Sequence, residues 1–203
     1  MNFLAHIYLS FDQKEIVLGN FFADHIKGNR ISHFPKGIQQ GIMLHRAIDS
    51  YTDSHPAARS SSKLLHATQG HYSRVIVDIF YDHFLAVHWD RYSDIPLERY
   101  TQDFYQHLEE HFELLPEKTQ HILPYIKAQD WLLNYREWDG LEEAFGGLDR
   151  RTKGRSNMLM ATRDLQKNYS AFERDFFALF ADLITFSQKK LEELCGDSFT
   201  SEY

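Results

Sequence analysis

Apolar residues recur along this chain every three or four positions, as on amphipathic helices, and no stretch alternates apolar and polar residues as a strand would. Proline and glycine separate these stretches, because proline favours a first helical turn and glycine a helix end. Residues 1–10 are too short and too apolar for the pattern to distinguish a strand from a short helix. The pattern predicts helices over 12–27 with Asp12 as N-cap, 38–51, 56–65, 71–92 and 96–115.

The second half of the chain is patterned less regularly. Trp131, Tyr135 and Trp138 follow helical spacing and are predicted to be core residues, whereas the glycines that follow predict a looser segment. A long last helix, interrupted near 168–170, is predicted to bury a row of Phe and Leu side chains. Together these elements predict an all-α fold, a single-domain bundle of about seven to nine helices over residues 1–195 with a frayed tail at 196–203.

The composition is that of a soluble globular chain with an aromatic core. Of 203 residues, 43% are apolar, 25% charged and 15% aromatic. The net charge of −7 argues against general nucleic-acid binding, which needs a basic surface. Cys195 is the only cysteine, which excludes an internal disulfide and a thiolate metal cluster and fits a reducing cytoplasm. Because no apolar run approaches the ~18 residues that span a bilayer, we expect a cytoplasmic protein with no membrane partner.

Polar side chains interrupt the core-facing stripes of three separate helices. On the predicted helix 38–51 the stripe begins with Ile38 and Ile42 and continues as His45 and Asp49. A carboxylate there is costly unless a cation, a metal or several hydrogen-bond donors compensate it, so we expect such a group opposite Asp49. The pattern recurs on two more helices, and the candidates are Asp24 with His25, His45, Asp49, and Asp82 with His83, with His6 as a looser member.

Imidazole and carboxylate groups from several helices suit a divalent cation such as manganese, iron or zinc. Each residue alone is better explained as a hydrogen-bonded core histidine or a salt-bridged acid, but three buried acids beside histidines favour a metal site. The spacing of Glu109, Glu110 and His111 is wrong for a ferritin-like di-iron site. The sequence motifs of zinc proteases, serine hydrolases and P-loop NTPases are missing as well.

Four segments resemble a known family. They are MNFLAH at 1–6, GNFFADHIKG at 19–28, HRAIDSYTDSHP at 45–56 and DHFLAVHW at 82–89. In this order they resemble the acyl carrier protein phosphodiesterases, or acyl carrier protein hydrolases, and a looser likeness continues through QDWLLNYR at 129–136 and DRRTKGR at 149–155. The resemblance implies a distorted HD-domain-like helical fold, manganese dependence, and hydrolytic removal of 4′-phosphopantetheine from the serine of holo-acyl carrier protein in lipid metabolism. The chain lacks the His-Asp dipeptide that names the HD superfamily and has only reversed Asp-His pairs.

The residues and the resemblance agree on a mechanism in which water activated by the metal attacks phosphorus. The expected metal ligands are Asp24, His45, Asp49, Asp82, His83 and His6. His45 or His83, if not a ligand, is expected to protonate the serine leaving group, and Arg46 to clamp the phosphodiester. The expected catalytic residues are Asp24, His45, Arg46 and Asp49.

Acyl carrier proteins are acidic, so an enzyme of net negative charge needs a local basic face to attract them. The residues predicted to form it are Arg150, Arg151, Lys153 and Arg155, joined by Lys27, Arg30 and Lys36. A solvated loop rich in charge is the simpler explanation of the basic run. Two other functions stay open: an HD-type phosphohydrolase acting on nucleotides or another small phosphodiester, and a non-catalytic helical interaction module in which the aspartates pair with Arg46, Lys27 or histidines.

Overall fold

Helices make up most of residues 1–28 and 30–196, the part of the chain that the computed structural model describes. Eight of the α-helices in this part have nine residues or more, and no strand occurs in it, which confirms the all-α bundle. The helices are α1 (Phe3–Tyr8), α2 (Lys14–Phe22), α3 (Lys36–Ser54), α4 (Pro56–Gln69), α5 (Ser73–Val87), α6 (Leu97–Glu110), α7 (Glu117–Ala128), α8 (Trp131–Asn134), α9 (Trp138–Arg151), α10 (Ala161–Lys167) and α11 (Tyr169–Cys195).

Prolines stand at the start of four of these helices. Pro35, Pro96 and Pro116 are the N-cap residues of α3, α6 and α7, and Pro56 is the first residue of α4. The fixed φ of proline suits a first helical turn, and the missing N–H has no intrahelical partner to lose there. The helix starts were therefore predictable from the sequence.

Two glycines allow α2 and α3 to cross at short range. A Cβ added at Gly19 would lie 2.1 Å from the carbonyl oxygen of Ile38, and one at Gly41 would lie 2.2 Å from that of Ile16. Only glycine permits this approach, because any side chain at either position would push the backbones apart. The crossing brings the C-terminal end of α2 against the middle of α3.

The long helix α11 lies against α3, α4 and α5 and carries much of the aromatic core. Phe172, Phe176 and Phe180 are fully buried on its inner face. Phe84 of α5 packs against Phe176, with 5.8 Å between ring centroids, and Tyr169 stacks edge-on against Phe84. The interruption before α11, at Asn168, was predicted correctly.

Several local predictions were wrong. The N-cap of α2 is Gln13 rather than Asp12. Residues 1–10, for which the sequence left a strand and a short helix open, form a helix and its C-terminal turn. Gly140, Gly146 and Gly147, which predicted a looser segment, lie inside α9. Of Trp131, Tyr135 and Trp138 only Tyr135 is buried, while Trp138 is 38% exposed. Propensity failed at α9 because its buried Leu141 and Phe145 hold the helix in place.

The tail predicted for 196–203 lies, after Gly196, outside the described residues, and the extent of the single domain stays a prediction. None of the helices in the described ranges combines the length and the apolarity needed to cross a membrane.

Candidate metal centre

Two histidines and two aspartates from three elements meet at one end of the α2–α3 crossing. His6 comes from α1, His45 and Asp49 from α3, and Asp24 from the short 3-10 turn that follows α2. Nε2 of His45 lies 3.1 Å from Asp49 Oδ2 and 3.3 Å from Asp24 Oδ1, and Nε2 of His6 lies 3.2 Å from Asp49 Oδ1. The imidazole rings stack with 4.0 Å between centroids. We call these four residues the His–Asp cluster.

Asn20, a fully buried residue of α2, orients both histidines. Nδ1 of His6 donates to its side-chain oxygen at 2.8 Å, and Nδ1 of His45 donates to its backbone oxygen at 2.7 Å. The amide orientation of Asn20 is set by its Nδ2, which donates to the carbonyl of His6 and to Ser10 Oγ. A histidine that binds a metal through one nitrogen usually donates the other to such an acceptor, so both Nε2 atoms are arranged as ligands.

An unpartnered buried atom supports the same interpretation. Nε2 of His6 is buried and has no hydrogen-bond partner in the described part of the chain, because its approach to Asp49 lacks hydrogen-bond alignment. Leaving a polar atom in this state is unfavourable unless something else satisfies it. A cation between His6, His45 and Asp49 would do so, since ligand atoms of the three lie within 4.8 Å of one another.

The carboxylates of the cluster are ionised and facing outward. Side-chain exposure is 43% for Asp49 and 71% for Asp24. Burial favours the protonated form of Asp49, but the hydrogen bond from His45 and the nearby imidazole of His6 outweigh it and lower its pKa. The hydrogen bond from His45 lowers the pKa of Asp24. Two negative charges beside two imidazoles make a site for a cation.

The surroundings shift the pKa values of the two histidines in opposite directions. Burial, with the nearby charge of His45, lowers the pKa of His6 to about 4, so its Nε2 carries a lone pair at neutral pH. Burial also disfavours charge on His45, but the bonds to Asp24 and Asp49 prevail and raise its pKa to about 9. The proton on His45 thus supplies positive charge between the two carboxylates, the role that a metal would take over.

Asp82 does not join the cluster, and its predicted place among the ligands is corrected. It is fully buried and accepts the N–H groups of Asn2, Leu4 and Ala5 at 3.3, 2.7 and 3.3 Å. These donors have no intrahelical partner at the start of α1, so Asp82 caps α1 from another helix. Burial raises its pKa to about 7, against the opposing effect of these bonds.

His83 also lies elsewhere. Its Nδ1 donates to the carbonyl of Tyr135 at 2.8 Å, and its Nε2 lies 3.2 Å from the hydroxyl of Tyr169. Both ring nitrogens are therefore engaged by the far side of the bundle, and the prediction of His83 as a ligand is corrected. On an ideal helix adjacent residues diverge by about 100°, which is why Asp82 and His83 face different neighbours.

Beside the cluster opens a cleft of about 900 Å³. Asp24 and His25 line it together with α5, α8 and α9, and so does the buried Met1 amino group, which lies 2.9 Å from Asp78 and 3.8 Å from Asp49. Nδ1 of His25 is bonded to Thr119 at 2.7 Å. The site is therefore an ionic cluster at the edge of a cavity large enough for a small-molecule ligand.

The predicted cationic residues take different positions. Arg150 and Arg151, at the end of α9, line the cleft, whereas Lys153 and Arg155 are exposed on the turn beyond it. Arg46 donates to the carbonyl of Gly28 at 2.6 Å and so holds the turn after Asp24. Lys27, Arg30 and Lys36 are exposed.

Sequence reasoning missed two residues of this region. Asn20 was the one polar side chain in the apolar run from 16 to 23, and that interruption was a readable signal. Lys118 of α7 lines the cleft, but nothing in its own segment marked it.

A second group of possible ligands lies on the surface of α6. His107, Glu110 and His111 bring ligand atoms together, but all three come from one stretch of chain and are more exposed. His107 Nε2 already donates to the carbonyl of Lys14 at 2.8 Å. This group serves below as a control.

Fold and site together define a class, the all-α proteins that carry a histidine–carboxylate cluster at the edge of a cleft. Within it the chain belongs to the acyl carrier protein phosphodiesterase family, whose model matches residues 1–183. The family predicted from the sequence is thereby confirmed.

Curated relatives with that name match along nearly the whole chain. The acyl carrier protein phosphodiesterase of Salmonella paratyphi A is 28% identical over 94% of this chain and 99% of its own length. Those of Photorhabdus laumondii and Escherichia coli O6:H1 are each 29% identical, over 95% and 94% of this chain and 96% and 99% of their own lengths. No solved structure matches, so the likeness to an HD domain stays a prediction.

Proposed function

We propose that this chain is a metal-dependent phosphodiesterase that removes 4′-phosphopantetheine from the serine of holo-acyl carrier protein, giving the apo form. The observation that carries the metal dependence is the tethering of both histidines to Asn20, which leaves two Nε2 atoms directed at Asp49. Family membership supports the carrier protein as substrate. A role in lipid metabolism remains a prediction.

His6, His45, Asp49 and Asp24 would hold the metal. Nitrogen and carboxylate donors together suit manganese, the metal expected from the family resemblance, as well as iron and zinc. When bound, such an ion supplies positive charge that acidifies water and offsets the charge of the phosphoryl oxygens.

The remaining steps belong to residues of the cleft. Burial and the charges of Lys118 and Arg151 lower the pKa of His25 to about 4, so the ring is neutral at pH 7 and able to accept a proton from attacking water. Its Nε2 has no partner in the described residues, and the same proton can pass to the serine oxygen as it leaves. His25 therefore replaces His83 in the proposed mechanism.

Mass spectrometry of holo-carrier incubated with this protein and Mn²⁺ tests the proposal. We expect the carrier to lose the mass of its prosthetic group, and a chelator or Asp49→Asn to prevent the loss. A parallel panel of nucleotides tests the phosphohydrolase alternative. Turnover of nucleotides with an intact holo-carrier, or full activity in excess chelator, would refute the proposal.

A further inference from the structure

Three cations converge on the cleft, and they come from two helices. Lys118 lies in the first turn of α7, and Arg150 and Arg151 lie at the end of α9. None of the three has an ion pair or side-chain hydrogen bond within residues 1–28 and 30–196, whereas Arg136 and Lys127 nearby in the chain are both paired. Cations that line a cavity without partners are available to an anionic ligand.

The cations lie at the end of the cleft that adjoins the His–Asp cluster. Thr119, the residue after Lys118, is bonded to Nδ1 of His25 at 2.7 Å, so Lys118 enters the cleft beside Asp24 and His25. The guanidinium of Arg150 folds back over α9, with Nη1 3.4 Å from where a Cβ on Gly146 would lie. The two consecutive glycines leave this surface of the helix open for it.

The opposite end of the cleft is acidic. Asp139, Glu142 and Glu143 line it from the first turns of α9. At 1.5 Å per helical residue, Asp139 lies about 18 Å along the helix from Arg151. The cleft is therefore polarised along α9, and Trp131, Tyr135 and Leu148 add aromatic and aliphatic wall between its two ends.

We propose that this cleft binds the phosphopantetheine arm itself, with Lys118, Arg150 and Arg151 contacting the phosphodiester. This proposal rests on the proposed function. An anionic head followed by a neutral chain with amide N–H donors matches a cleft that is basic beside the cluster and acidic at its far end. Arg150 and Arg151 are thus substrate-positioning residues inside the site, and of the basic run at 150–155 only Lys153 and Arg155 remain for the surface of the carrier.

The test measures binding of free 4′-phosphopantetheine and of pantetheine, which lacks the phosphate, to the Mn²⁺-loaded protein by calorimetry. The wild type should bind the phosphorylated compound more tightly. In Lys118→Gln/Arg151→Gln this preference should fall by roughly tenfold or more, because two charged contacts to phosphate are lost. Lys153→Gln/Arg155→Gln removes the same charge outside the cleft and should leave the preference unchanged.

Both substituted pairs are exposed, so their melting temperatures should match the wild type. An unchanged preference in Lys118→Gln/Arg151→Gln, an equal loss in the control pair, or no phosphate preference in the wild type would overturn the assignment of the cleft. Failure of the proposed function would show differently, as intact holo-carrier after incubation with a protein that still binds phosphopantetheine.

Discussion

Two aspartates on different helices show how the surroundings of a carboxylate decide its role. Asp49 keeps a side chain 43% exposed and lies 3.1 and 3.2 Å from the Nε2 atoms of two histidines. Asp82 is fully buried and receives only backbone N–H groups. Both interrupt an apolar stripe, so the sequence pattern alone could not separate a ligand from a cap whose helix lies about eighty residues away.

Replacing Asp82 should therefore lower the stability of the fold, because the residue caps α1 and does not lie in the His–Asp cluster. Asp82→Ala removes the acceptor of three backbone N–H groups, two of them in buried hydrogen bonds, and we expect the free energy of unfolding to fall by roughly 2 kcal/mol or more. Urea denaturation measures this change. Asp53→Ala, which breaks an exposed pair with Arg74, is the control and should cost less than about 1 kcal/mol. Equal stability of the two variants would contradict the capping role.

The raised pKa of Asp82 also predicts a pH dependence. Between its ordinary value of 3.8 and about 7 the folded protein holds a proton on Asp82 that the unfolded chain releases. The contribution of this proton to the free energy of unfolding is therefore fully present below about pH 4, and it is lost as pH rises to about 7. We expect the wild type to lose stability relative to Asp82→Asn across this window in denaturation experiments. A constant difference would show that Asp82 does not titrate there.

Four of the residues proposed to bind metal were found from sequence, because His6, Asp24, His45 and Asp49 stood out by type and spacing. Asn20 also interrupted an apolar run, but its role, like that of Lys118, could not be inferred from the sequence. Their roles depend on contacts between helices, and those contacts are set by packing that periodicity does not describe.

At the scale of elements, the α2–α3 crossing positions the site. Asn20 on α2 bonds His45 on α3, so the distance between these helices sets the direction of the imidazole. The crossing in turn depends on Gly19 and Gly41, because at these positions the backbones of α2 and α3 are too close for any side chain.

Gly41→Ala should consequently destabilise the protein and weaken metal binding together. Its Cβ would meet the Ile16 carbonyl at 2.2 Å, and forced overpacking typically costs about 1–3 kcal/mol. Thermal melts and a Mn²⁺ titration measure the two effects. Gly147→Ala is the matched control, because its Cβ would meet nothing closer than 3.7 Å and alanine favours a helix. If Gly41→Ala behaves like Gly147→Ala, the close crossing is not required.

Helix boundaries were predictable wherever proline marked them, as at α3, α4 and α6. They were not predictable over α9, because glycines that normally interrupt helices lie there on a helix anchored by Leu141 and Phe145. The burial of these two side chains outweighs the low helix propensity of glycine.

At the scale of the whole molecule, charge governs the encounter with a carrier. A chain of net charge −7 repels an acidic partner except at a basic face. The structure divides the predicted basic run, leaving Lys153 and Arg155 exposed on the turn after α9. These two residues, with the exposed Lys27, Arg30 and Lys36, are expected to steer the carrier.

Lys153→Glu/Arg155→Glu should raise KM for holo-carrier severalfold through slower association, with kcat little changed. The wild-type rate should fall with salt as the screening length shrinks below about 10 Å. Steady-state kinetics measure both. A small phosphodiester such as bis-p-nitrophenyl phosphate is the control, because it has no protein surface to dock, and its hydrolysis should barely change. A carrier rate indifferent to salt would mean that docking uses another surface.

The most direct test of the central claim, that the His–Asp cluster holds the catalytic metal, is a Mn²⁺ titration followed by the electron paramagnetic resonance of the free ion. We expect the wild type to bind Mn²⁺ and His6→Gln or Asp49→Asn to weaken that binding at least roughly tenfold, because each removes a ligand. His107→Gln/His111→Gln, at the surface group of α6, should bind as the wild type does. Wild-type affinity in Asp49→Asn, or loss of binding in the α6 variant, would contradict the account.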